Sequence, residues 1–276
     1  MEEVKKRGID ILYIFDDAKN LYLKNFKFLL CVSPVSLLTS ITRYTYAFVF
    51  KQNFSYLVDS ILGILDILVL MWIYTALTYK ILSILNGEEL TFLNTLKSPK
   101  RKYWRVIKVS IGFGFITAIP FVLVFIIMYV LTKSIVIAPI INIFLWSVGI
   151  IPVLYIFTKY YFVMTSAALE SDKTNSFSNS KELTKGNYLR VIAGIFISSV
   201  VLYVLPLING FYVKKFEENF ADSIVYLKNI SIAFYNMIVL PLNISFITIL
   251  YLRLKEFKLK TNCSKSNSNV SVATDN

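Results

Sequence analysis

Long apolar runs alternate with short, lysine-rich polar stretches along the whole chain, and that alternation predicts six membrane spans. The spans cover residues 26–50, 57–82, 106–131, 135–162, 189–213 and 230–252. Residues 9–24 follow a different pattern. Ile11, Ile14, Phe15, Ala18 and Tyr22 recur at three-and-four spacing, with Asp10, Asp17, Asn20 and Lys24 largely off that face. An amphipathic helix is predicted there, lying in the membrane interface or packed on the bundle. Asn86-Gly87 predicts a helix stop after the second span, followed by a short surface helix and the basic cluster Lys97, Lys100, Arg101, Lys102 and Arg105. Residues 261–276 are polar and low in complexity and are expected to be disordered. The chain thus reads as an N-terminal amphipathic helix (1–25), a six-span domain (26–252) and a polar tail (253–276).

The pattern also repeats. Ser176-Phe177, Tyr188 and Arg190 lie 85 residues beyond Thr91-Phe92, Tyr103 and Arg105. A weaker third copy aligns Phe26 and its lysines with Tyr103 and Tyr188. The expected unit is a basic surface helix followed by two spans, present three times.

Composition agrees with a polytopic membrane protein: 56% of residues are hydrophobic and only 17% are charged. The net charge of +12 does not indicate nucleic acid, because the cations flank apolar runs instead of forming a patch on a soluble domain. With both termini cytoplasmic, 23 of the 29 lysines and arginines lie on the inner side, and the positive-inside rule selects that orientation. A cleavable leader is not expected, since Asp10, Asp16 and Asp17 interrupt the first apolar stretch. Cys31 and Cys263 fall in a span and in the tail, so no disulfide is expected.

Catalytic patterns are absent from the sequence. It has no histidine, which removes the commonest metal ligand and general base. The glycines are scattered and form no phosphate loop. Gly112 and Gly114 in the third span are candidates for close helix approach. No enzyme activity, cofactor or metal is expected. Asp66 is the intramembrane candidate: a carboxylate near the middle of a span costs about 2.5–3.5 kcal/mol on insertion scales. It serves as a proton or cation site, or as a hydrogen-bonded structural carboxyl. Arg43, Asp59 and Lys228 fall near one outer level and are ion-pair candidates. The basic residues Lys97, Lys100, Arg101, Lys102, Arg105, Lys181, Lys185 and Arg190 are candidates for facing anionic lipid or a partner. Each contributes about 1 kcal/mol at an anionic leaflet. Six of the seven prolines fall within predicted spans, as in carriers with broken helices and also as in membrane helices generally.

Residues 168–196 carry Leu169-Glu170 at the end of the fourth span, a short helix over 180–186, and Arg190 entering the fifth. With the matching stretch from Gly87-Glu88 to Arg105, this resembles a bacterial family of six-span proteins. The family includes the membrane domain of glycerophosphoryl diester phosphodiesterases. The resemblance implies an all-helical membrane fold. It does not imply phosphodiesterase activity, which belongs to a separate barrel of about 250 residues.

The expectation is therefore an all-α, multi-pass protein of the bacterial cell membrane. It is non-enzymatic and organises anionic lipid or a protein partner at the cytoplasmic face. The alternative is a small transporter or permease component that uses Asp66.

Overall fold

The computed structural model describes residues 10–30, 32–50, 55–88, 91–97, 99–134 and 139–272. The side chains at 28, 36, 92, 101, 131–134, 139–148, 205–225 and 262–272 are excepted. The described residues form ten helices and no strand. Four helices are long and apolar enough to cross a membrane, or five if one bent pair counts as a single span. The chain is an all-helical protein with the build of a membrane protein.

Helix α1 (Ile11–Lys24) begins where the Asp10 carboxylate accepts the Leu12 N–H at 2.9 Å. Its predicted face is the buried one, with Ile11, Ile14, Ala18 and Tyr22 all packed inward. Phe15 meets Phe246 edge-on at 5.8 Å, and Asp17 pairs with Arg253 at 3.4 Å. The helix therefore packs on the bundle.

The expected first span is divided into α2 (Phe26–Leu30) and α3 (Pro34–Val49). Proline lacks an N–H, so it is tolerated at a helix start but breaks a continuing helix. Pro34 accordingly opens α3.

Helix α4 (Tyr56–Asn86) matches its prediction closely. Gly87 closes it with φ +77°, a left-handed cap in which the Gly87 N–H returns to Ile84 and Ser83 carbonyls. After α5 (Phe92–Lys97), α6 (Lys100–Ser134) takes the basic cluster into its own first turns and runs on through Pro120. Helices α7 (Pro139–Lys159) and α8 (Val163–Leu169) form the fourth element, broken at 160–162. Helix α9 (Ser176–Thr184) stabilises that break from outside. Ser180 and Thr184 hydroxyls donate to the Lys159 carbonyl at 3.1 and 3.3 Å, and Ser180 Oγ accepts the Phe162 N–H at 3.2 Å. At Gly186, φ +81°, the chain turns by 106° into α10.

Helix α10 (Tyr188–Val272) is helical along its length, yet it folds back on itself. Ser198 Oγ donates to Asn243 Oδ1 at 2.5 Å across 45 residues, which on a straight helix would lie about 67 Å apart. Tyr235 OH bonds the Val201 carbonyl, and Gly194 abuts Phe246 and Leu250. Tyr188–Val204 and Tyr226–Thr261 are thus antiparallel arms. The midpoint of each pair falls near the predicted outer loop. Past Pro241 no glycine or proline stops the helix, so its backbone continues through the expected tail to Val272.

The two larger of three buried clusters join most of the bundle. One joins α1 to both arms through Phe162, Leu183, Val191, Phe246, Leu250 and Tyr251. The other joins Tyr22, Leu29 and Val32 to Ile73, Leu77 and Ile81 of α4 and to Ile244. By contrast the apolar stretch of α6 is almost wholly exposed, with Phe115, Ile119, Val122 and Ile126 all facing outward. That is the exposure of a helix whose solvent is lipid.

Candidate functional site

One end of the bundle gathers most of the described cations. Here α1, the start of α6, the loop 170–175, α9 and residues 251–258 of α10 come together. Glu170, at the end of α8, is the hub. Lys255 pairs with its Oε1 at 2.6 Å, and Tyr251 OH donates to the same oxygen at 2.5 Å. Asn179 Nδ2 donates to Tyr251 OH and to Ser166 Oγ, both at 2.8 Å. Burial works against the Glu170 charge. The hydrogen bonds from Lys255 and Tyr251, with the nearby charges of Lys255 and Arg105, outweigh it and hold the carboxyl below the usual glutamate range.

The loop after Glu170 is fixed from the other side by α6. Arg105 NH1 donates to the carbonyls of Glu170 and Ser171 at 2.9 and 2.6 Å. Its NH2 bonds the Thr174 carbonyl and Ser176 Oγ. Lys102 bonds the Glu170 carbonyl and pairs with Asp172 at 3.0 Å. These two side chains are only 17% and 11% exposed. Their assignment to a lipid- or partner-facing surface is therefore corrected: they are spent on backbone carbonyls that would otherwise lack donors. Arg190 is also engaged, donating to Asn187 Oδ1 at 2.9 Å and lying over the Phe257 ring.

Lys97, Lys100, Lys181 and Lys185 remain exposed at this end. The Arg101 side chain lies outside the described residues. Exposed aromatic and aliphatic groups stand beside them. Trp104 is 66% and Leu189 is 83% exposed, and Tyr155 stacks on Tyr188 at 5.4 Å with the Lys159 ammonium over its ring. Aromatic rings with lysines at helix ends mark a membrane–water interface.

A second polar group lies in the α3–α4 seam. Arg43 holds Asp59 bidentately, Nε at 2.9 Å and NH2 at 3.1 Å. Arg43 and Asp59 pair as expected, but Lys228 does not join them and makes no ion pair among the described residues. Asp66 lies seven residues from Asp59 on the same face of α4. It accepts from Thr39 Oγ1 at 2.6 Å and from Ser40 Oγ at 3.3 Å.

The bundle core carries neutral hydrogen bonds, including Tyr74 with Thr165 at 2.6 Å and Ser198 with Asn243. Of the two glycines in the third span, Gly112 is closely approached, by the Phe177 ring of α9, and Gly114 is not. A side chain at Gly114 would meet nothing within 4 Å, and one at Gly112 would meet only Phe177. The tightest approaches are at Gly149 and Gly194.

Sequence reasoning passed over Thr39, Ser40, Asn179, Tyr251 and Lys255. Two of these had a visible signal: Tyr251 and Lys255 are four apart, one face of a helix presenting two donors. Among the described residues no cluster of metal-ligating side chains occurs. No protein-family model matches the chain, and no curated protein or solved structure matches it either.

Proposed function

We propose that the chain is a six-span protein of the bacterial cell membrane, with both termini cytoplasmic, that gathers anionic lipid headgroups at its basic end. It acts there as an organiser and not as an enzyme. The observation that carries this reading is the division of labour among the cations. Lys102, Arg105 and Lys255 are consumed in fixing the loop after Glu170. Lys97, Lys100, Lys181 and Lys185 are left exposed at the same end, beside aromatic groups of interfacial type. Freed of structural duty, they offer charge at the depth where phosphate groups lie.

A threefold unit is part of this reading, and one set of contacts supports it. Tyr103 OH donates to the Leu68 carbonyl at 2.9 Å, and Tyr22 OH donates to the Ile238 carbonyl at 2.8 Å. Leu68 and Ile238 are two 85-residue steps apart. The intermediate step falls at 153, and Tyr188 OH reaches Tyr155 OH at 3.5 Å. The matched pair Tyr103 and Tyr188 thus each reach the last span of the unit before, and Tyr22, four residues ahead of the aligned Phe26, ties the start of the first unit to the last span. Kinship with the glycerophosphoryl diester phosphodiesterase membrane domain belongs to the same proposal. It draws on the stretch from Leu169-Glu170 to Arg190.

The test is native mass spectrometry of the protein in nanodiscs of mixed zwitterionic and anionic lipid. Changing Lys97, Lys100, Lys181 and Lys185 to glutamine should lower retained anionic lipid about tenfold or more, on the scale of about 1 kcal/mol per cation. Insertion should be unaffected. Equal retention by the variant would defeat the proposal. A protein partner lost by the variant while lipid retention stays the same would replace lipid with protein as the ligand.

A further inference from the structure

The α3–α4 seam has an unbalanced charge. Arg43 and Asp59 neutralise each other through two hydrogen bonds. Among the described residues Asp66 accepts hydrogen bonds from the hydroxyls of Thr39 and Ser40 and makes no ion pair. It lies ten residues into α4 from Tyr56, about 15 Å along the axis. That is inside a helix long and apolar enough to span a membrane. An unpaired carboxylate at such a depth is costly, and such groups pair, take up a proton or hold an ion.

We infer that Asp66, Thr39 and Ser40 form a binding site for one monovalent cation, a proton or an alkali-metal ion. The charge sets the class. With all three side chains ionised, Arg43, Asp59 and Asp66 sum to one negative charge, which a monovalent cation brings to zero. A divalent ion would overshoot and would require more oxygen ligands than one carboxylate and two hydroxyls. The geometry serves both monovalent sources. A hydroxyl donates or accepts, so Thr39 keeps its 2.6 Å contact when the carboxyl itself carries the proton. For an alkali ion the same three side chains supply hard oxygen ligands.

Gly63 adds a further feature. It lies between Asp59 and Asp66 on the same face of α4, and a Cβ there would stand 3.5–3.7 Å from the Arg43 guanidinium. The guanidinium thus rests over the bare backbone between the two carboxylates, bonded to one and within the field of the other. The other titratable groups near the seam are Tyr44 on α3, Tyr103 of α6 at the Leu68 carbonyl, and Tyr226 of α10 at Thr45. This inference is independent of the lipid reading, which concerns the opposite end of α4.

The experiment is thermal unfolding of the full chain in nanodiscs of zwitterionic lipid. Sodium chloride is compared with choline chloride at fixed pH, and pH is then varied in choline chloride. The wild type should be stabilised by sodium, by protons, or by both, and the difference between wild type and Asp66→Asn isolates this site from all other titrating groups. A sodium effect lost in Asp66→Asn identifies the alkali ion; a pH effect alone identifies the proton. The double change Thr39→Val with Ser40→Ala keeps the carboxylate. It should weaken the apparent sodium affinity, or displace the pH response, by about tenfold. If Asp66→Asn does not fold, this double variant decides. Wild-type responses to both sodium and pH that match those of the variants overturn the inference.

Discussion

Replacing Gly194 with valine should unfold the protein at markedly lower temperature, through separation of the two arms of α10. A Cβ at this position would stand 2.7 Å from Leu250 Cδ2 and 3.6 Å from the Phe246 ring. Both neighbours are buried in the core. Leu250 and Phe246 are 0% and 1% exposed, and Phe246 is held edge-on by Phe15 of α1. Overpacking of a filled core costs about 1–3 kcal/mol. Valine should lie at the upper end, because its branch at Cβ leaves little rotamer freedom in a helix. The arms are also tied nearby by the Ser198–Asn243 bond and by Tyr235 to Val201, which the displacement would strain. Gly114→Ala is the internal control. Its Cβ meets nothing within 4 Å, so it should gain up to about 1 kcal/mol from helix propensity alone. Thermal unfolding in nanodiscs compares the two. Equal stability of the Gly194 variant and the wild type would mean that the arms do not meet as described.

That contrast also shows what the sequence made legible. Glycines in an apolar run announce that a helix can be approached, but only the partner helix decides where. Gly112 and Gly114 look like a packing motif, yet only Gly112 is approached, by the Phe177 ring, whereas Gly194 stands alone in sequence and carries the tightest contact. Local rules did better. Helix α4 was readable almost to its ends, because a long apolar run and an Asn-Gly stop suffice to define it. The face of α1 was readable because a 3.6-residue period needs no knowledge of the partner. Pro34 was visible, but only the structure shows that it opens a new helix instead of bending one. The basic cluster misled in part for a different reason. Sequence displays the charge of Lys102 and Arg105 but hides the row of carbonyls over 170–174 that needs their donors. Thr39 and Ser40 were silent because hydroxyls are common in spans and only the register of α3 against α4 sets them on Asp66.

Glu170 should give the second large effect, with a pH signature that separates it from simple packing. It joins α8 to α10 through Lys255 and Tyr251, while its carbonyl anchors Lys102 and Arg105 of α6. Glu170→Gln keeps the size and the backbone contacts but removes the charge. Hydrogen bonds to a charged group contribute about 1.5–3 kcal/mol. Lys255 is 41% exposed and partly screened, so a loss of about 2 kcal/mol is expected instead of the sum over both donors. The sign of the pH dependence follows from the depressed titration of the folded carboxyl. Above the ordinary glutamate range the group is ionised in both states and its contribution is complete. As pH falls, the unfolded chain takes up the proton first and stability declines, until the folded carboxyl is protonated as well and the contribution is gone. Wild type should therefore lose stability relative to Glu170→Gln on acidification, and the two unfolding curves should converge at low pH. Glu170→Ala should fall further than the glutamine variant, since it also leaves Tyr251 OH without its acceptor in a buried site. Unfolding midpoints measured across a pH series in nanodiscs provide the check. A constant gap between wild type and Glu170→Gln at every pH would show that the carboxylate charge does not hold this end of the bundle together.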